Sequence, residues 1–79
     1  VATELERVSS LISSVGKIPP IDPDADFYEA GFSSVGALQL LMELEDAFGV
    51  SIPDDQFIAA RTPRALHGIV VSLQEGAKG

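Results

Sequence analysis

The sequence has no cysteine and no tryptophan, and only one histidine, one methionine and one tyrosine. Without cysteine there is no disulfide, no thiolate metal site and no thiol nucleophile, which suits a reducing, cytoplasmic setting. No apolar run approaches the ~20 residues of a membrane-spanning helix, and the N-terminus lacks the basic and apolar stretches of a signal peptide. The chain opens on Val1, as a processed chain or a piece of a longer one would.

Positive charge is the other scarcity. Between Ile18 and Ala60 there is no Lys or Arg, while Asp22, Asp24, Asp26, Glu29, Glu43, Glu45, Asp46, Asp54 and Asp55 all fall there. The net charge of -7 is therefore concentrated in the middle of the chain. Phosphate contacts need Lys and Arg, so nucleic acid is excluded as a natural partner. A surface of one sign steers partners of the other, and a protein with a basic patch is expected to dock here.

What remains is ample for a core. With 79 residues, 46% hydrophobic and 22% charged, the chain makes one small domain over residues 1–79 and a monomer is expected. The periodicity predicts an all-α fold, a three-to-four-helix bundle with a long loop between helices 1 and 2. Helices are expected at about 3–15, 34–48, 54–59 and 63–74. Thr3 with Glu6 makes a capping box, Leu5, Val8, Ile12 and Val15 repeat at helical spacing, and Gly16 is expected to end the first helix. Lys17 to Gly31 is a connection stiffened by Pro19, Pro20 and Pro23, with a short helical turn expected near Asp26 to Ala30. In the second helix Ala37, Leu40, Leu41, Leu44 and Phe48 make one apolar face, with Gly49 as the stop. Val35, Leu38 and Met42 form a second stripe on another face, left for a partner. Thr62 then Pro63 start the last helix, with Leu66, Ile69, Val70 and Leu73 inward and fraying expected from Gly76.

Catalysis finds little support. His67 is the only imidazole, and no Gly-x-Ser-x-Gly elbow supplies a nucleophile for it, so the chain is not expected to be an enzyme. Asp22, Asp24 and Asp26 alternate like the start of a calcium loop. The glycine and glutamate that such a loop requires are replaced by Phe27 and Ser33, so no metal is expected and the aspartates read as turn and cap residues.

The remaining candidate is Gly31-Phe32-Ser33-Ser34-Val35, where a loop becomes a helix. Ser33 is placed to cap that helix by accepting from Val35 or Gly36 N–H, which leaves Ser34 as the first helical residue, pointing outward. A phosphate on Ser34 would lie at the positive end of the helix dipole, worth about 0.3–1 kcal/mol at an exposed site. Two serines at a helix start are also an ordinary cap.

Asp26-Phe27-Tyr28-Glu29-Ala30-Gly31-Phe32-Ser33-Ser34-Val35, with Leu40 to Pro53, resembles the acyl carrier protein family over nearly the whole chain. Gly31-Phe32-x-Ser34-Val35 is similar to that family's Gly-Leu-Asp-Ser-Leu/Met. The resemblance implies a four-helix carrier with 4′-phosphopantetheine, derived from coenzyme A, on Ser34, its thiol holding an acyl or aminoacyl group as a thioester. It implies a phosphopantetheinyl transferase, a loading ligase and downstream acyl-processing enzymes as partners, in a fatty acid, polyketide or specialised pathway. Docking would fall on Val35, Leu38 and Met42, with Glu43, Glu45, Asp46, Asp54 and Asp55 as an acidic rim. Two departures stand out. Ser33 replaces the usual aspartate before the modified serine, and Gly36 and Gln39 are uncharged where relatives serving fatty acid synthesis carry acids. Gln39-Leu40-Leu41, Phe57, Arg61 and Thr62-Pro63 are similar to the D-alanyl and aminoacyl carrier subgroup. A carrier fold that works as an interaction module without the arm is the alternative of a different class.

Overall fold

The computed structural model describes residues 3–77. It is a bundle of four α-helices: α1 (Glu4–Gly16), α2 (Ala37–Phe48), α3 (Asp54–Ala59) and α4 (Pro63–Ala77). A single 3-10 turn, Ser34–Gly36, leads into α2. No strand occurs among the described residues.

Local chemistry sets most of the boundaries. Thr3 Oγ1 accepts from Glu6 N–H at 3.1 Å while Glu6 Oε1 accepts from Thr3 N–H at 3.0 Å, a reciprocal capping box. Thr62 Oγ1 accepts from Ala65 N–H at 3.1 Å, and Pro63 follows it as the first helical residue, where a missing N–H costs nothing. Gly49 takes a left-handed conformation (φ 66°) at the end of α2, which a residue without Cβ adopts easily.

Three details differ from the sequence reading. Gly16 is the last residue of α1 rather than its stop, and the left-handed position falls to Lys17 (φ 54°). The reason is packing: a Cβ on Gly16 would lie 2.9 Å from Phe32 Cε2 and nearer still to Cδ2. Residues 34–36 form a 3-10 turn, so the α-helix proper begins at Ala37 rather than Ser34. The helical turn expected near 26–30 is present, Ala30 N–H donating to Asp26 C=O at 3.1 Å, before Gly31 (φ 114°) redirects the chain and Phe32 N–H closes back on Phe27 C=O at 2.9 Å. α4 runs on to Ala77, past both 74 and Gly76, since no proline or left-handed residue interrupts it.

The core joins all four helices and the loop. Val8 and Ile12 of α1, Leu40 and Leu44 of α2, Leu66 and Val70 of α4 and Phe27 of the loop are fully buried. Each such side chain contributes about 1.5–3 kcal/mol by leaving water. Phe57 of α3 and Ile52 of the α2–α3 link fill the remaining side. Phe27, Tyr28 and Phe32 pack as an aromatic trio, with Phe27–Phe32 centroids 5.3 Å apart and Tyr28–Phe32 at 5.8 Å, both edge-on. That trio anchors the loop immediately before the serine pair.

Candidate functional site

The two serines divide their work. Ser33 is extended (φ -81°, ψ 137°) and its Oγ accepts from Val35 N–H at 3.2 Å, while its carbonyl accepts from Gly36 N–H at 3.0 Å. It is the cap. Ser34 is the first residue of the 3-10 turn and is exposed. Neither the turn nor the first turn of α2 carries an acidic or basic residue. An anion at Ser34 therefore meets the positive end of the helix with no adjacent carboxylate to repel it.

Upstream, a turn built on Asp26 fixes where the pair stands. Asp26 Oδ1 accepts from Tyr28 N–H at 2.8 Å and Glu29 N–H at 3.1 Å, and Oδ2 accepts from Arg61 Nε at 2.6 Å. The hydrogen bond from Arg61, followed by those from the Glu29 and Tyr28 amides, holds the Asp26 carboxyl below its ordinary range. A parallel pair, Arg64 Nε to Asp24 Oδ1 at 2.7 Å, lowers Asp24 in the same way. Asp24 and Asp26 thus serve the loop. No cluster fit to hold a metal ion exists among the described residues.

Downstream lies the apolar stripe. Leu40, Leu41 and Leu44 turn into the core, which rotates Val35 (90% exposed), Leu38 (66%) and Met42 (59%) into solvent. They line an open trough together with Gln39, Glu43, Glu45 and Asp46. Three large apolar side chains at helical spacing on the outside form a contiguous patch of the kind proteins use to meet partners. Asp54 and Asp55 are exposed in the first turn of α3. Glu45 lines the trough with Glu43 and Asp46, and its Oε2 also accepts from Ile52 N–H at 2.9 Å, tying the α2–α3 link.

Three features escape sequence reasoning. Ile58 on α3 is 69% exposed, and no apolar periodicity in a helix of six residues foretells that. The internal bond of Glu45 spans seven residues across a turn. Arg61 and Arg64 meet alternate aspartates 35 and 40 residues away. The available signal was that these two arginines are the first bases after the long stretch without any.

Residues 6–70 match the family described as the phosphopantetheine attachment site. The chain belongs to that family. Among curated relatives, an aminoacyl carrier protein of Agrobacterium fabrum is 35% identical over 52 residues, covering 61% of this chain and 63% of the relative, a little under two thirds of its length. An acyl carrier protein of Thermosynechococcus vestitus is 34% identical over 55 residues, 66% of this chain and 68% of that one. The hexanoyl acyl carrier protein of the actinorhodin polyketide synthase in Streptomyces coelicolor superposes with a TM-score of 0.75 at 28% identity, over 98% of this chain and 95% of that one. An extended docking domain complex of the Pax NRPS matches with a TM-score of 0.87 over all of this chain and 76% of that one. At 23% identity it speaks for the fold alone. The helical bundle of this phosphopantetheine-attachment chain is thus the carrier fold, and the prosthetic group of its family is 4′-phosphopantetheine.

Proposed function

We propose that this chain is an acyl or aminoacyl carrier, with the phosphopantetheine arm on Ser34, and that it presents cargo to successive enzymes without catalysing a step itself. When bound, the group supplies the terminal thiol that the cysteine-free chain lacks and holds the cargo as a thioester. One observation carries the assignment to Ser34: both serines are exposed, but the Ser33 hydroxyl is engaged by Val35 N–H at 3.2 Å as the cap, in which the Ser34 hydroxyl has no part. The residues fit the group. An exposed hydroxyl, a helix start free of carboxylates and a neighbouring side chain that caps the turn suit a phosphodiester at this position.

Val35, Leu38 and Met42 supply the apolar contact for the partners, namely the modifying transferase, a loading ligase and later enzymes. Glu43, Glu45, Asp46, Asp54 and Asp55 supply charge for their basic patches, steering encounter more than adding affinity. Similarity to an aminoacyl carrier protein favours an amino acid as cargo, loaded by an adenylating ligase.

The test is intact-mass analysis after incubation with coenzyme A and a phosphopantetheinyl transferase. One arm is expected on the parent chain and on Ser33→Ala, and none on Ser34→Ala. A gain kept in Ser34→Ala and lost in Ser33→Ala would reverse the assignment. No gain on any chain with several transferases would make the protein a carrier-fold interaction module.

A further inference from the structure

Arg61 touches the serine loop at three separate atoms or groups, although it lies between α3 and α4. Its Nε donates to Asp26 Oδ2 at 2.6 Å. Its guanidinium carbon lies 4.9 Å from the centroid of the Tyr28 ring. Its carbonyl accepts from Phe27 N–H at 3.0 Å. From there the path to the serines is short. Phe27 C=O accepts from Phe32 N–H at 2.9 Å, and Phe32 is buried two residues before Ser34. Asp26, held from the other side by Arg61, is the carboxylate on which the Tyr28 and Glu29 amides close the turn.

We infer that Arg61 is a positioning residue for the modification site: through Asp26 and Tyr28 it holds the 26–32 turn so that Ser34 stands at the helix start in the geometry its modifying enzyme requires. The inference rests on Ser34 as the attachment residue. An exposed ion pair contributes little to global stability. The Arg61 side chain is 54% exposed, so removing it leaves the core intact and loosens only the turn. Planar geometry matters here, since a guanidinium can meet a carboxylate edge-on and stack on an aromatic face together, which a compact, strongly hydrated ammonium does less well. Arg64 is a natural control: its side chain meets only Asp24, outside the turn.

The test is the rate of arm transfer from coenzyme A by a phosphopantetheinyl transferase to Arg61→Gln, Arg61→Lys, Arg64→Gln, Asp26→Asn and Arg61→Gln/Asp26→Asn. Misplacing a reacting group by a full ångström can cost ~100-fold, so kcat/KM should fall by about three- to tenfold in Arg61→Gln, carried in kcat more than in KM. Arg61→Lys should recover part of the loss, and Arg64→Gln should stay within about twofold of the parent chain. Because Arg61 acts in part through Asp26, the double variant should lose clearly less than the sum of the two single losses. Additive losses would mean that Arg61 touches the transferase directly, and would overturn the inference, as would an unchanged rate in Arg61→Gln. Amide NMR of the free chain separates this inference from the site assignment. Shifts and faster exchange at Phe27, Tyr28 and Phe32 in Arg61→Gln report the turn whether or not Ser34 is the residue modified, and unmoved amides there would sink the positioning role alone.

Discussion

Phe32 packs at Gly16, its ring filling the space that a side chain at the end of α1 would occupy. The glycine is therefore an aromatic seat, and it fixes the residue two places before Ser34 against the first helix.

Gly16→Ala should destabilise the protein although alanine is the better helix former. The propensity gain is about 1 kcal/mol, whereas overpacking against a buried ring typically costs ~1–3 kcal/mol. A net loss of up to about 2 kcal/mol in urea unfolding is expected, partly recovered by Phe32→Leu in the same chain. Gly68, in the middle of α4, has nothing within 4 Å of the position a Cβ would take. Gly68→Ala should therefore stabilise by about 0.5–1 kcal/mol.

Ser33→Ala should lower stability by about 1 kcal/mol through loss of the cap on Val35 N–H, while Ser34→Ala leaves that cap in place. Ser33→Asp keeps an acceptor at the same position and adds a charge favourable to the dipole. Its stability should equal or exceed that of the parent by up to ~1 kcal/mol. Chemical denaturation of the three variants distinguishes cap from anchor.

The acids of α2 should separate into two kinds. Glu45→Ala removes the acceptor from Ile52 N–H, and Ile52 is buried, so a loss of about 1–2 kcal/mol is expected. Glu43→Ala changes an exposed side chain and should stay within about 0.5 kcal/mol of the parent. In salt-dependent binding to a basic partner enzyme the order should reverse, with Glu43→Ala losing affinity.

Acid should act on both the loop and the α1 cap. Asp26 and Asp24 are held below the ordinary 3.8 by hydrogen bonds from Arg61 and Arg64, and Glu6 below its ordinary 4.5 by the Thr3 amide and hydroxyl. A carboxyl that binds its proton more weakly folded than unfolded stabilises the fold fully above the unfolded value. That contribution disappears as pH falls through the lower, folded one. Stability should therefore drop below about pH 4. In Arg61→Gln the Asp26 carboxyl, followed by carbon NMR, should titrate closer to its ordinary value.

The elements most legible in the sequence were those fixed by short-range chemistry. Thr3 with Glu6, and Thr62 with Pro63, announce helix starts because each cap lies within three residues of what it binds. The stripe of Val35, Leu38 and Met42 was legible for a related reason: a helix with apolar residues around more than one face cannot bury them all in so small a core. Gly16 misled, since a glycine serving the close approach of Phe32 reads like one serving a left-handed turn. Glu45 read as a free acid because its bond to Ile52 depends on how the chain returns after Gly49. The turn at 26–31 was half legible. Asp26 signalled a cap, but its third partner is supplied from the far side of the fold by Arg61.

That long reach has a consequence for the order in which the protein comes into being. The turn before Ser34 is held by groups on Arg61, and the Pro23 carbonyl by the Arg64 amide at 3.0 Å. A growing chain would emerge from the ribosome with its serine pair well before these partners exist. Until the start of α4 has been made, the first loop has its own turn bonds but lacks the Arg61 and Arg64 groups that hold it from across the fold. A nascent chain offers the sequence of the site without its full shape. A transferase that reads shape would thus ignore unfinished chains and act only once nearly the whole domain has been made and folded.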